Sequence, residues 1–304
     1  LGRSGTGKTR WCLDAVCEAL QGEKISPITP SPLRGTPPWQ GESPLILLVP
    51  EQATYQAERA ILSHPNIAGF SRLRILSFNR LQFWLDASGR AGADISRTGK
   101  QMVLHKLLLE LSDRFSLYCG SQQRSGLAVK LAGLLTEFQQ SNCDPRQISE
   151  LAAKLAAQEG QEIAAAKWAD IALLFEHYLQ FFQGAEGGFE NPDMRLKKAA
   201  RKVAQAPFLK NATIWVDGFS GFSVQERDLL IELLKVCKSA YIALCLDPKQ
   251  IDLSNTDADK LDPFSLFSST EQTYTDLLRI FKACKFPCKP SVILDKPRRF
   301  ENAP

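Results

Sequence analysis

Leu1-Gly2-Arg3-Ser4-Gly5-Thr6-Gly7-Lys8-Thr9 opens the chain and decides its fold. The stretch contains G-x-x-x-x-G-K-T, a phosphate-binding P-loop. A nucleotide's phosphates pack several negative charges into a small volume. Successive main-chain N–H groups must curl around them, and glycine permits both the curl and the close approach. In this motif Lys8 reaches the β- and γ-phosphates, and Thr9 offers a hydroxyl to Mg2+. The helix that follows adds its positive N-terminal end. The pattern assigns Gly2, Ser4, Gly5, Thr6, Gly7, Lys8 and Thr9 to nucleotide binding, with ATP and Mg2+ as the implied ligands. The alternative is a chance glycine turn, against which the immediate helix counts.

Outward from the loop, Thr9 to Gln21 reads as that helix, with Trp11, Cys12, Ala15, Val16, Ala19 and Leu20 at helical spacing. In P-loop folds a strand leads directly into the glycines. Only Leu1 precedes Gly2, so the sequence reads as a fragment without that first strand, and the tail from Lys296 to Pro304 ends without a closing element. From Ser26 to Pro44 there are prolines at 27, 30, 32, 37, 38 and 44. Such a run supports neither helix nor central strand and reads as a solvated insertion, or else as a proline-rich ligand for a partner domain. Leu45–Val49 is a continuous apolar run, as expected of a buried parallel strand. Pro50-Glu51-Gln52 opens a helix to Leu62, Leu73–Ser77 is a second strand, and a helix with Phe78, Leu81, Phe83, Trp84 and Leu85 follows. This alternation predicts an α/β fold with a parallel sheet.

The pattern changes between Ser96 and Ala206, where helices are expected over 97–116, 125–141, 145–157, 161–183 and 193–206, with no strand and a break at Gly184–Gly188. Asp144-Pro145 is a helix start, with Asp at N-cap and Pro at N1. The α/β pattern returns with strands at Thr213–Asp217 and Ala240–Asp247, helices from Ser223 to Val236 and Ser269 to Ala283, and a candidate strand at Val292–Leu294. Ser223 and Glu226 stand in capping-box register. The expected organisation is an α/β part over 1–92 carrying the insertion at 26–44, an all-helical insertion subdomain over 93–207, and a second α/β part over 208–304.

The second half of a nucleotide site is an acid at the end of a parallel strand, where it holds Mg2+. Ile214-Trp215-Val216-Asp217 fits, although a strand-ending Asp also caps turns. Motor ATPases place Glu directly after this Asp to activate water; here Gly218 follows. The sequence therefore supports nucleotide binding better than hydrolysis, and it assigns no catalytic residue. Asp247-Pro248-Lys249-Gln250 leaves two readings open: Gln250 as a γ-phosphate sensor, or a simple turn. His64, His105 and His177 are isolated.

With 44% apolar and 23% charged residues, the 304-residue chain has an ordinary globular composition. The net charge of +4 is compatible with nucleic acid without arguing for it. No apolar run is long enough for a bilayer span, and no signal peptide is visible. Eight cysteines without a C-x-x-C pair read as buried free thiols of a reduced cytoplasm. Arg195, Lys197, Lys198, Arg201 and Lys202 line one helix, either as a solvated face or as a track for phosphates. Phe78, Phe219 and Phe222 either stack on bases or pack in the core.

Five stretches together carry a family resemblance: Gly2–Thr9, Leu47-Leu48-Val49-Pro50-Glu51-Gln52-Ala53-Thr54-Tyr55-Gln56-Ala57-Glu58, Ile75-Leu76-Ser77-Phe78-Asn79-Arg80-Leu81, Ile95-Ser96-Arg97-Thr98-Gly99-Lys100-Gln101 and Ile214-Trp215-Val216-Asp217-Gly218-Phe219. In order and spacing they resemble the N-terminal region of the AddB family, the second subunits of AddAB-type ATP-dependent DNA helicase–deoxyribonucleases. The resemblance implies a superfamily 1 helicase-like fold, a RecA-like domain split by a helical insertion. It implies that Gly218 is the family's habit, that the subunit has lost motor function and helps read single-stranded DNA, and that an AddA-like partner carries the working motor. The family's nuclease domain and iron–sulfur cysteines lie beyond position 304, so no cluster is expected here. The second RecA-like domain, which closes the ATP cleft, is likewise absent from this sequence. Two other classes stay in view: a small-molecule P-loop kinase, and a scaffold with a relic loop.

Overall fold

The computed structural model describes residues 1–21, 43–85, 93–120, 125–183 and 189–296. Most of the proline-rich stretch, the expected break at 184–188 and the end of the tail lie outside the described residues. In chain order the elements are α1 (Lys8–Gln21), β1 (Leu45–Leu48), α2 (Thr54–Leu62), β2 (Leu73–Leu76), α3 (Phe78–Leu85), β3 (Ala93–Asp94), α4 (Arg97–Glu110) and α5 (Ser125–Gln140). There follow α6 (Pro145–Ala156), α7 (Glu162–Phe181), β4 (Phe189–Glu190), α8 (Arg195–Val203), β5 (Thr213–Val216), α9 (Val224–Val236), β6 (Ser239–Ile242) and α10 (Ser268–Ala283). The chain divides into two compact units: Leu1–Leu85 with Ala200–Phe222 and Leu229–Pro304, and Asp86–Ala199 with Ser223–Asp228.

The first unit is an α/β structure on a four-stranded parallel sheet of order β2-β1-β5-β6. Leu48 lies beside Leu76 and Val216, and Val216 beside Ile242, so all four strands end level at one carboxyl edge. β1 is buried at every position, which is why its sequence is an unbroken apolar run rather than an alternation. Leu45, Leu47 and Trp215 pack with Cys12, Val16 and Cys17 of α1 and Ile61 of α2. Fully burying a side chain of this size contributes about 1.5–3 kcal/mol, so this face anchors α1, and the loop before it, to the sheet. The strand expected over 240–247 is shorter: β6 stops at Ile242, and Cys245 pairs instead with Gly2 in a parallel bridge. The Leu246 N–H donates to Gly2 O at 3.1 Å, and the Leu294 N–H to Leu1 O at 2.8 Å. Val292–Leu294 forms no strand of its own.

The second unit is mainly helical. Leu104 and Leu108 of α4, Leu131 and Leu135 of α5, Ile148 of α6 and Ile171, Leu174, Phe175 and Tyr178 of α7 share one core. Asp144 caps α6 in a full capping box with Gln147, with Pro145 in the first turn; such a cap is worth about 1 kcal/mol. Three expectations need correction. α4 ends at Glu110 rather than 116, because Asp170 of α7 captures the N–H groups of Ser116, Leu117 and Tyr118 at 2.9, 2.7 and 2.9 Å. A continuing helix would have used those donors itself. The region expected to hold no strand contains β4, paired in parallel with β3; two-residue strands carry no readable period. The helix expected over 193–206 is a 3-10 turn at Pro192–Met194 followed by α8, which ends at Val203.

A polar network fills part of this unit. Lys100 Nζ meets Asp193 Oδ2 at 2.5 Å, the Thr136 hydroxyl donates to the same oxygen at 2.8 Å, and Gln225 Nε2 donates to Gln139 O at 2.6 Å and Asp193 O at 2.8 Å. Burying such groups is tolerable because each finds a partner. The cysteines are free, as read, but only Cys12 and Cys17 are buried; Cys119, Cys284 and Cys288 are exposed. Cys284 caps the end of α10 and Cys288 lies beyond it, where no helix face shields them. Among the described residues no helix is long and apolar enough to cross a membrane.

Candidate functional site

α1 starts at Lys8, so the glycine loop runs directly into its first turn. Gly5 and Gly7 have φ of 83° and 88°, a region that strains any residue with a Cβ. Gly2 admits no Cβ either: one would lie 2.4 Å from Leu294 O and 2.5 Å from Thr6 Oγ1. The Arg3 carbonyl gathers the loop. It accepts from the Thr6 N–H at 3.4 Å, the Thr6 hydroxyl at 2.9 Å and Lys8 Nζ at 2.6 Å.

A cleft of roughly 510 Å3 opens here, within the usual range for small-ligand sites. It is lined by Ser4, Gly5, Gly7, Lys8, Thr9 and Arg10 on one side, and by Asp217, Gly218, Phe219, Ser220, Ala243 and Cys245 on the other. Asp217 follows β5, its N–H donating to Leu48 O at 3.0 Å, which sets its carboxylate at the carboxyl edge of the sheet. Asp217 is only 6% exposed, and among the described residues no hydrogen bond or ion pair reaches its carboxylate. Its oxygens face the cleft, where a cation can reach them. The oxygens of Asp217 and Thr9 suit Mg2+, which binds through one or two carboxylates and keeps several waters. Among the described residues no group of three His, Cys, Asp or Glu converges on a metal-holding position, and a hydrated Mg2+ at Thr9 and Asp217 does not require one. Burial, reinforced by the Asp217 charge, pushes the Cys12 thiol up to about 12.

Gly218 is a backbone requirement as well as a missing acid. Its φ is 83°, and a Cβ would approach Pro50 Cδ to 3.2 Å. Gly218→Glu is expected to destabilise the fold by about 1–3 kcal/mol and to add no ATPase activity, since the loop must shift to seat the new side chain. Thermal unfolding and phosphate release check this; an unchanged unfolding midpoint, or turnover near ~1 per second, would contradict it.

Past Gly218, Phe219 packs against Phe78 of α3 at 5.4 Å and Phe222 at 5.2 Å between ring centroids, and Phe222 meets Phe78 at 6.0 Å. Phe78 is buried at 2% exposure, while Phe219 and Phe222 are half-buried. Beside them Glu51, just after β1, accepts from the Ser77 hydroxyl and from Arg80 Nε at 2.9 Å. The Ser77 bond, helped by Arg80 against some desolvation, holds the Glu51 carboxyl below the usual carboxylate range. The sequence stretches around Glu51 and Ser77 thus meet at the same sheet edge as Asp217.

Asp247 is buried. Its Oδ2 meets an Arg3 guanidinium nitrogen at 2.7 Å, and its Oδ1 accepts the Lys249 N–H at 3.1 Å. Desolvation pushes its carboxyl up, but the Lys249 N–H and Arg3 together outweigh that and hold it below the usual range. The structure brings Ser4, Gly5, Gly7, Lys8, Thr9 and Asp217 to one cleft; Gly2 and Thr6 shape the loop behind it. Gln250 is not brought there: its side chain is exposed and its N–H closes a turn on Asp247 O at 3.1 Å. Sequence reasoning missed Arg10, Ser220, Ala243 and Cys245 as lining residues and the Arg3–Asp247 pair, and left Phe219 between base stacking and core packing. Only the position of Arg10, directly after the motif, offered a local signal. On α8, Arg195 pairs with Asp94, whereas Lys198 and Arg201 are exposed.

The sequence model of the family described as ADDB, N-terminal, matches residues 38–304. The chain is also 35% identical over 92% of its length to a protein of Heliobacterium modesticaldum, named as the B subunit of an ATP-dependent helicase/deoxyribonuclease, and covers 21% of that protein. Proteins of the same name from Symbiobacterium thermophilum and Pelotomaculum thermopropionicum are 32% and 34% identical over 100% and 97% of the chain, which covers 24% and 23% of them. The chain thus spans less than a quarter of the length of these relatives. The family match begins after the glycine loop, but the Symbiobacterium similarity extends over it.

Proposed function

Because this chain belongs to the ADDB N-terminal family, we propose that it is the nucleotide-holding part of one subunit, the AddB-type one, of an ATP-dependent helicase–deoxyribonuclease that processes double-strand DNA breaks for recombinational repair. One observation carries the reading: the Asp217 carboxylate, without a partner among the described residues, faces the same cleft as Lys8 and Thr9. On this reading Gly5, Gly7 and the first turn of α1 cradle the phosphates of ATP, Lys8 neutralises them, and Thr9 and Asp217 hold Mg2+. Gly218 puts no carboxylate where a water would be activated, so turnover by this chain is slow or nil. The level carboxyl edge of β2-β1-β5-β6 supports a RecA-like P-loop domain, made of 1–92 and 208–304 with the helical subdomain 93–207 inserted. Single-stranded DNA would cross the same edge, its bases against Phe219 and Phe222 and its phosphates toward the exposed Arg80. The motor would then belong to an AddA-like partner in the same cytoplasmic complex.

The test alkylates the thiols at pH 8 and maps the products by mass spectrometry, alongside binding of a labelled single-stranded oligonucleotide. Mg-ATP at ten times its Kd is expected to slow labelling of Cys245, which lines the cleft, by about tenfold. The exposed Cys284 and Cys288 should be unaffected, and Cys12, whose thiolate is suppressed, should stay unlabelled. Oligonucleotide affinity should fall as salt rises. Equal labelling of Cys245 with and without Mg-ATP would remove the nucleotide reading and leave the relic loop; phosphate transfer to a metabolite would favour a kinase.

A further inference from the structure

We propose that Asp247 is a positioning residue for the phosphate-binding loop and acts through Arg3. This rests on the reading of Gly2–Thr9 as a nucleotide site. Neither Arg3 nor Asp247 lines the cleft, so the pair works on the loop and not on the ligand. The Arg3 side chain is 57% exposed, yet its guanidinium turns inward to a carboxylate that is 3% exposed. A pair with one buried member is screened far less than a surface pair. The other Asp247 oxygen is occupied by the Lys249 N–H, so the acceptor is fixed from both sides.

What the pair fixes is the hub of the loop. The Arg3 carbonyl receives the Thr6 N–H, the Thr6 hydroxyl and Lys8 Nζ, so the orientation of the Arg3 peptide sets where Lys8 begins its reach. The residue before it is anchored as well, because Gly2 O accepts the Leu246 N–H at 3.1 Å. Consecutive loop residues, Gly2 and Arg3, are therefore held by consecutive residues after β6, Leu246 and Asp247, once through the main chain and once through side chains. Two anchor points prevent the loop from rotating about either one. The restraint matters because Gly2, Gly5 and Gly7 give this segment more conformational freedom to lose than other residues would. A loop held in its binding conformation before the ligand arrives binds more tightly for the same contacts.

Asp247→Asn, Arg3→Gln, their double variant and the charge exchange R3D/D247R test this in the full chain. Two quantities are read: affinity for Mg-ATP, and amide hydrogen exchange of residues 4–8 without nucleotide. Each single substitution is expected to weaken Mg-ATP binding by about 5–20-fold and to speed exchange of the loop amides, with α1 beyond Trp11 still protected. The double variant should be no weaker than either single one, and the exchange should recover part of the loss. Additive losses, or unchanged loop exchange, would overturn the proposal. Should Asp247→Asn fold poorly, Arg3→Gln changes only the half-exposed member and still decides. If the parent chain binds no Mg-ATP but the variants loosen the loop, the nucleotide reading falls and the positioning role stands. If Mg-ATP binds and the loop does not loosen, the reverse holds.

Discussion

Asp170→Ala is expected to destabilise the helical unit by about 2–4 kcal/mol, from the loss of one buried acceptor that holds three main-chain donors. Asp170 is 3% exposed, and its two oxygens accept three main-chain N–H groups, from Ser116, Leu117 and Tyr118. Each is a charge-assisted bond worth about 1.5–3 kcal/mol. Alanine leaves the three donors without their acceptor; Phe115 beside them is 5% exposed, but Ser116 and Leu117 are exposed, so water takes up part of the loss. Asp170→Asn keeps one carbonyl oxygen and should cost about half as much. Hydrogen exchange and limited proteolysis suit the measurement better than one melting curve, because a chain of two units need not unfold in one step. Amides 115–118 should lose protection first. A loss below about 1 kcal/mol would show that core packing, and not Asp170, holds the turn.

The same residue shows where the sequence stops being legible. Signals that act over a few residues were readable: the Asp144-Pro145 cap, the Ser223–Glu226 pair and the apolar run of β1 all stand as their local chemistry dictates. Helix α4 carried no local reason to stop at Glu110; what ends it is a carboxylate more than fifty residues away. The site divides in the same way. That Lys8, Thr9 and Asp217 share one cleft was readable, because a motif places the first two and a strand end the third, and parallel strands bring such ends to one edge. Gly218 was legible as a missing acid, but not as a residue with positive φ against Pro50. Asp247 was readable only as a turn opener. Its partner Arg3 lies at the other end of the chain, and no spacing encodes that meeting. Among the cysteines, Cys12 stands on the apolar spacing of α1 and is buried, whereas Cys143 and Cys237 lie just outside helix ends and are half-buried, a difference that helical spacing does not carry.

Lys8→Ala is expected to weaken Mg-ATP binding by about 100-fold, near 3 kcal/mol, while leaving the fold within about 0.5 kcal/mol. The asymmetry follows from what Lys8 touches. Among the described residues its ammonium has one partner, the Arg3 carbonyl, in a half-buried position, so losing it leaves no buried charge unpaired there. The glycine conformations and the Asp217 carboxylate stay as they are. In the proposed nucleotide complex the balance would differ. Asp217 and the phosphates are all negative, and Lys8 and Mg2+ are the cations the motif sets against them. Without Lys8 the site depends on the metal, so the residual affinity should fall more steeply as Mg2+ is withdrawn than it does in the parent chain. Calorimetry across a magnesium series reads both effects, and Cys245 should lose its protection at ATP concentrations that shield it in the parent. Binding within about threefold of the parent value (~0.7 kcal/mol) would mean that Lys8 does not meet the phosphates and that the loop is a relic of an ancestral motor.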